Sequence, residues 1–196
     1  MRFHLPRAFA LLALAACFLG CQPQHSFTAT DITGATLGKA GWQLSDATGK
    51  LRNAQDNQKI TAVFFGFTRC PDVCPTTLVD YVAALKLMGD KAAKVQVFFI
   101  TLDPVRDTFP ALQQYTQAFH PSFIALRGDE SATKAAADAY KVFYAKNMGA
   151  DKNPLNYTLD HTAASYVHDQ QGNIRLYVRH GQSAESLAKD LGALIQ

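Results

Sequence analysis

The chain has 196 residues, 48% hydrophobic and 18% charged, which fits one globular domain with a substantial core and excludes a disordered or linker-dominated chain. The formal charge is +3, from 19 basic and 16 acidic residues scattered along the sequence, and no period of 20–50 residues recurs. Such a surface offers no basic face for nucleic acid, and no electrostatic reason to bind an anionic membrane.

The first segment, residues 1–20, reads as a secretory leader of the lipoprotein type. Arg2 and Arg7 form a positive start, and Ala8 to Leu19 is an apolar run too short to span a bilayer well. Cys17 and Cys21 each follow small residues and are alternative points of lipid attachment. Residues 21–35 are polar and without periodicity, and are expected to be a flexible tether. The folded domain, residues 36–196, is then expected outside the cytoplasm, in a bacterial periplasmic space, with the membrane reached only through the N-terminal anchor. In that compartment neighbouring cysteines default to the disulfide.

Within the domain, strand-like and helix-like segments alternate. Trp42–Ser45 reads as a short strand before a turn at Ala47-Thr48-Gly49-Lys50. Thr61–Phe67 is a continuous apolar and β-branched run, the pattern of a strand buried on both faces. Thr76–Met88 carries Leu78, Tyr81, Val82, Leu85 and Met88 at helical spacing, with Thr77 and Asp80 expected as its capping pair. Lys94–Leu102 is a second buried strand. Asp107 is expected to cap a helix reaching about His120, with Pro110 in its first turn. Phe123–Leu126 reads as a strand and Ser131–Tyr140 as a helix. Tyr144 to Asp160 reads as a long irregular loop. Thr162–His168 and Ile174–Arg179 form a predicted hairpin, and Ser183 caps a last helix ending near Ile195. The order predicts an α/β layered domain with a mixed sheet, and Phe64, Phe65, Phe98, Phe99 and Trp42 belong to its core.

Chemistry concentrates at Cys70-Pro71-Asp72-Val73-Cys74, directly between a buried strand and a helix, at the sheet edge where α/β domains place their sites. The helix N-terminus, close to Cys74, favours a thiolate there, and Arg69 adds a nearby cation. The spacing is open to four readings: a static disulfide, a thioredoxin-type redox pair, half of a zinc site, or a reversible soft-metal site with one further ligand. Zinc would need two more ligands, and no second cysteine pair exists. A histidine is the natural third ligand of a soft site. His161 stands out among His25, His120, His161, His168 and His180 because it lies where the long loop meets an apolar strand; His168 and His180 read as exposed strand ends. Two thiolates and an imidazole suit Cu(I), with Cu(II) also accommodated, and such a site is either metal-loaded or disulfide-bonded. Asp103, ending the second buried strand, is either a group that supports a ligand from behind or a simple turn cap. Arg106 and Asp107 read as an ion pair or helix cap, and Tyr157 as a shield for the metal.

Three blocks in order, Gly66-Phe67-Thr68-Arg69-Cys70-Pro71-Asp72-Val73-Cys74-Pro75, Leu102-Asp103-Pro104-Val105-Arg106-Asp107-Thr108 and Asp160-His161-Thr162, resemble the signature blocks of the Sco/SenC family over roughly residues 38–192. The resemblance implies a thioredoxin-like fold with an extra N-terminal β-hairpin, and a copper site at Cys70, Cys74 and His161. It also implies a part in building the dinuclear copper centre of cytochrome c oxidase. The partners it implies are the copper-centre subunit of the oxidase, together with other copper chaperones or thiol reductants. The alternative is a thiol–disulfide oxidoreductase in which Cys70 and Cys74 are the redox-active pair and keep the partner's copper-ligand cysteines reduced. A peroxidase is the weakest option, because fold relatives with that activity place their cysteine differently.

Overall fold

The computed structural model describes residues 26–39, 42–55, 58–149 and 156–196. The expected leader with Cys17, and the first part of the tether with Cys21, lie outside the described residues. Among the described residues no helix is long and apolar enough to cross a membrane.

The centre is a six-stranded sheet in the order β1-β10-β9-β4-β5-β6, comprising Thr30–Asp31, Ile174–Arg179, Ala164–His168, Ile60–Gly66, Val95–Thr101 and Ile124–Leu126. β4, β5 and β6 run parallel; β9, β10 and β1 join antiparallel. Every residue of β4 and β5 is buried, as their unbroken apolar runs require of strands covered on both faces. Alternation divides their side chains. Ile60, Ala62, Phe64, Val95, Val97 and Phe99 pack on one face with α1 (Val73–Met88), α2 (Phe109–Phe119) and α4 (Ala184–Ala193). Val63, Phe65, Phe98 and Ile100 pack on the other, with α3 (Glu130–Ala139), Trp42 and Tyr140. A short hairpin of β2 (Leu44–Ser45) and β3 (Leu51–Arg52) lies between β1 and β4 in the chain.

Several boundaries differ from the sequence reading. The described part of the expected tether is not loose: Thr30 and Asp31 pair with Tyr177 and Leu176, and the Asp190 carboxylate accepts the amides of Thr28 and Ala29. Helix α1 begins at Val73 rather than Thr76, so Cys74 and Pro75 fall in its first turn, where proline is tolerated. Thr77 and Asp80 therefore lie inside the helix and cap nothing; the Thr77 hydroxyl donates to the Val73 carbonyl instead. Gly89, at φ 55°, ends α1 in a conformation costly for other residues. Thr108, not Asp107, caps α2, accepting from the Ala111 amide. Ser183 caps α4 through the Ser186 amide.

The largest difference is between Tyr144 and Asp160. β7 (Tyr144–Met148) and β8 (Tyr157–His161) form an antiparallel ribbon of their own. His168 also departs from expectation: it is buried, donates from Nδ1 to the Gly172 carbonyl and accepts at Nε2 from the Tyr140 hydroxyl at 2.9 Å. Burial lowers its pKa.

Candidate metal centre

The site forms where the carboxyl end of β4 turns into α1. The chain leaves the sheet at Gly66, turns so that the Cys70 amide bonds the Phe67 carbonyl, and enters the helix at Val73. Gly66 has to be glycine: a Cβ there would stand 2.7 Å from Cys74 Sγ and 2.8 Å from the Phe99 ring. The backbone thus passes directly beneath the inner sulfur.

Both cysteines are free thiols. Their sulfurs and a His161 ring nitrogen all lie within 4.8 Å of one another. Cys74 Sγ is 3.8 Å from His161 Nε2. Three ligands around one ion, with bonds of about 2.0–2.3 Å, stand roughly 3.5–4 Å apart, so a small contraction would close this group on a metal. The histidine is set in the required tautomer. His161 Nδ1 lies 3.0 Å from the Thr162 carbonyl, which can only accept, so Nδ1 carries the proton and the Nε2 lone pair faces the sulfurs. Phe64 and Phe67 meet the imidazole edge-on, at ring centroid distances of 6.5 and 6.0 Å.

The two sulfurs are electrostatically unlike. The Cys74 amide, at the helix N-terminus, points at Cys70 Sγ from 3.4 Å. A hydrogen bond from the Cys74 thiol, with others from nearby amides, pulls the Cys70 pKa well below the ordinary thiol value. The Cys74 thiol is pushed up, first by its hydrogen bond to Cys70, then by burial, with the Cys70 and Asp107 charges adding to it. This corrects the expectation that Cys74 would be the favoured thiolate. Helix N-terminal amides point ahead of the helix, to Cys70, whereas the Cys74 side chain turns inward to 0% exposure. Arg69 is exposed and does not line the cleft over the sulfurs.

The carboxylates also exchange roles. Asp103 has no hydrogen bond to either sulfur or to His161. It accepts from the Tyr157 hydroxyl at 2.7 Å and pairs with Arg106, whose guanidinium lies 3.5 Å from the Tyr157 ring centroid and donates to the Tyr157 carbonyl. Its turn-capping role is present too, through the Arg106 amide. Tyr157 is engaged in this clamp rather than serving as a shield for the metal. Asp107 supports the cysteine loop: it is fully buried and accepts from the Thr68 amide and hydroxyl at 3.1 and 2.5 Å and from the Thr101 hydroxyl at 2.6 Å. The signal in the sequence was the pair of threonines, one just past the end of β4 and one at the end of β5. His120 bonds Ser122 and His180 bonds Thr77; neither joins the sulfurs.

Comparison with known proteins places this arrangement. The SCO1/SenC family model matches residues 30–196. This chain belongs to the SCO1/SenC family. An SCO2-like protein of Rickettsia felis is 38% identical over 140 residues, covering 71% of this chain and 66% of the relative, just under two thirds of its length. The solved structure of Bradyrhizobium japonicum ScoI with copper bound is 35% identical and superposes with a TM-score of 0.70, covering 79% of this chain and 97% of that one. BsSco, described with a disulfide switch and as a member of the Sco family of cytochrome c oxidase assembly proteins, is 16% identical, with a TM-score of 0.60 over 85% of this chain and 96% of that one; this is a likeness of fold. The thioredoxin-like mixed sheet, flanked by helices and with a short hairpin between β1 and β4 in the chain, is thus the fold expected from the sequence.

Proposed function

We propose that this protein binds copper through Cys70, Cys74 and His161 and passes it to the dinuclear copper centre of cytochrome c oxidase. The observation that carries the reading is the three-ligand group itself: two free sulfurs and one imidazole nitrogen within 4.8 Å at a sheet edge. Soft thiolates with a single imidazole favour copper in its reduced state. The copper held by the Bradyrhizobium relative supports the same choice of metal. The leader-like first residues support an extracytoplasmic protein held to the membrane through Cys17 or Cys21. Cys70→Ser, Cys74→Ser and His161→Ala should each sharply reduce copper retained by the reduced protein after gel filtration. Unchanged copper stoichiometry in all three would refute the reading.

A second reading, that Cys70 and Cys74 act as a thiol–disulfide pair on the partner's cysteines, is favoured by the unequal sulfurs. An accessible thiolate at Cys70 beside a buried thiol at Cys74 matches an attacking and a resolving group. The two readings separate at His161, since redox work needs no imidazole. Oxidase assembly restored fully by His161→Ala would favour the reductase, and its failure would favour copper delivery.

A further inference from the structure

β8 carries His161, yet it stands outside the central sheet. Its only strand partner among the described residues is β7. The ladder between them ends with the Thr162 amide on the Phe143 carbonyl and the Gly149 amide on the Asn156 carbonyl. In an antiparallel ladder alternate residues turn their backbone groups toward the partner, so Thr158 and Asp160 bond across to β7 while Tyr157, Leu159 and His161 turn theirs away. The Tyr157 carbonyl accepts from Arg106 on that outer side, as this parity requires. The Leu159 amide and carbonyl have no hydrogen-bond partner among the described residues.

β8 lines one wall of a cleft of about 330 Å³, with the Leu159 side chain buried behind it. Thr158, Leu159, Asp160 and His161 face Cys70, Pro71, Asp72 and Val73 across it. No lysine or arginine lines the cleft, and both Asp72 and Asp160 are exposed at its mouth.

We propose that the free edge of β8 is a docking strand, to which an extended, cysteine-bearing segment of the copper-exchanging partner adds by backbone pairing with Leu159. This rests on the copper-transfer reading above and supplies its recognition step. An unpaired strand edge is a template for a further strand, which settles about 4.8 Å away. Here that position lies between β8 and the Cys70–Val73 turn. A cysteine on the added strand then stands beside His161 and Cys70, the ligands that line the cleft, while Cys74 stays buried outside it. The two carboxylates select a segment with basic residues next to its cysteine.

The test uses the full chain, reduced and metal-free, with a capped hexapeptide in which serine replaces the cysteine and a lysine stands on either side. Nuclear magnetic resonance should show the Leu159 amide exchanging with solvent at least about tenfold more slowly when the peptide saturates the protein. N-methylation of the peptide, one residue at a time, should weaken binding about fivefold at alternate positions and little between them, since each lost backbone bond contributes about 1 kcal/mol. Replacing the lysines with glutamates should weaken it further. Binding that leaves Leu159 exchange unchanged, an N-methyl scan without that two-residue period, or no binding at millimolar peptide would each overturn the proposal. Copper titration of the same sample separates the two claims. Copper bound without peptide docking sinks only the docking strand; docking without copper binding sinks the metal site.

Discussion

The two halves of the metal group are held by different machinery. The sulfurs sit at the end of β4, in the middle of a sheet buried on both faces, with Gly66 beneath Cys74 and Asp107 tying Thr68 to Thr101. The imidazole sits on a two-stranded ribbon fastened to that sheet's edge by Asp103, Arg106 and Tyr157. The sulfur pair therefore depends on core packing, whereas the placement of His161 depends on a buried polar clamp as well as on the packing of Leu159, Phe64 and Phe67. Damage to either half should leave a recognisable remainder of the other.

The sharpest way to break that contrast is Arg106→Leu. It leaves the Asp103 carboxylate buried without its counter-ion, and unpairing such a charge costs about 3–5 kcal/mol. Denaturant unfolding should register the loss, and a copper-loaded sample should lose nitrogen coordination while keeping sulfur. Gly66→Ala attacks the other half. Its Cβ collides with Cys74 Sγ and Phe99, an overpacking expected to cost about 1–3 kcal/mol, and sulfur ligation should suffer first. Tyr157→Phe removes only the hydroxyl bond to Asp103, so about 1 kcal/mol of stability should go, with a partial weakening of the imidazole contribution.

The smallest effect concerns a histidine outside the site. Because burial lowers the His168 pKa in the folded state, the unfolded chain takes up the proton more readily. Stability should therefore fall as pH drops below about 6.5, the ordinary histidine value. A His168→Gln variant, which does not titrate, should show a flatter acid limb in thermal melts from pH 7 to 5.

What the sequence revealed follows from how local each feature is. The cysteine pair was legible because the strand ending at Gly66 and the helix after it adjoin in the chain. The buried faces of β4 and β5 were equally plain from their apolar runs. The choice between the two readings of Asp103, and the part Asp107 plays under the cysteine loop, were not legible because the two carboxylates lie four residues apart on one connection, and only packing against Thr68 and Tyr157 decides which faces that loop. The β7–β8 ribbon was missed because Tyr144–Met148 contains little apolar patterning. Tyr157-Thr158-Leu159 does alternate between buried and exposed, a strand signal too short to stand alone. The preferred thiolate was reversed for a directional reason: helix amides stabilise charge ahead of the helix, not within its first turn.

The most direct measurement is the copper coordination of the reduced protein by X-ray absorption, alongside copper stoichiometry. We expect one copper per chain with two sulfurs and one nitrogen, and loss of the nitrogen alone in His161→Ala. A site built only from sulfur in the unaltered protein, or a nitrogen ligand that survives His161→Ala, would contradict the account.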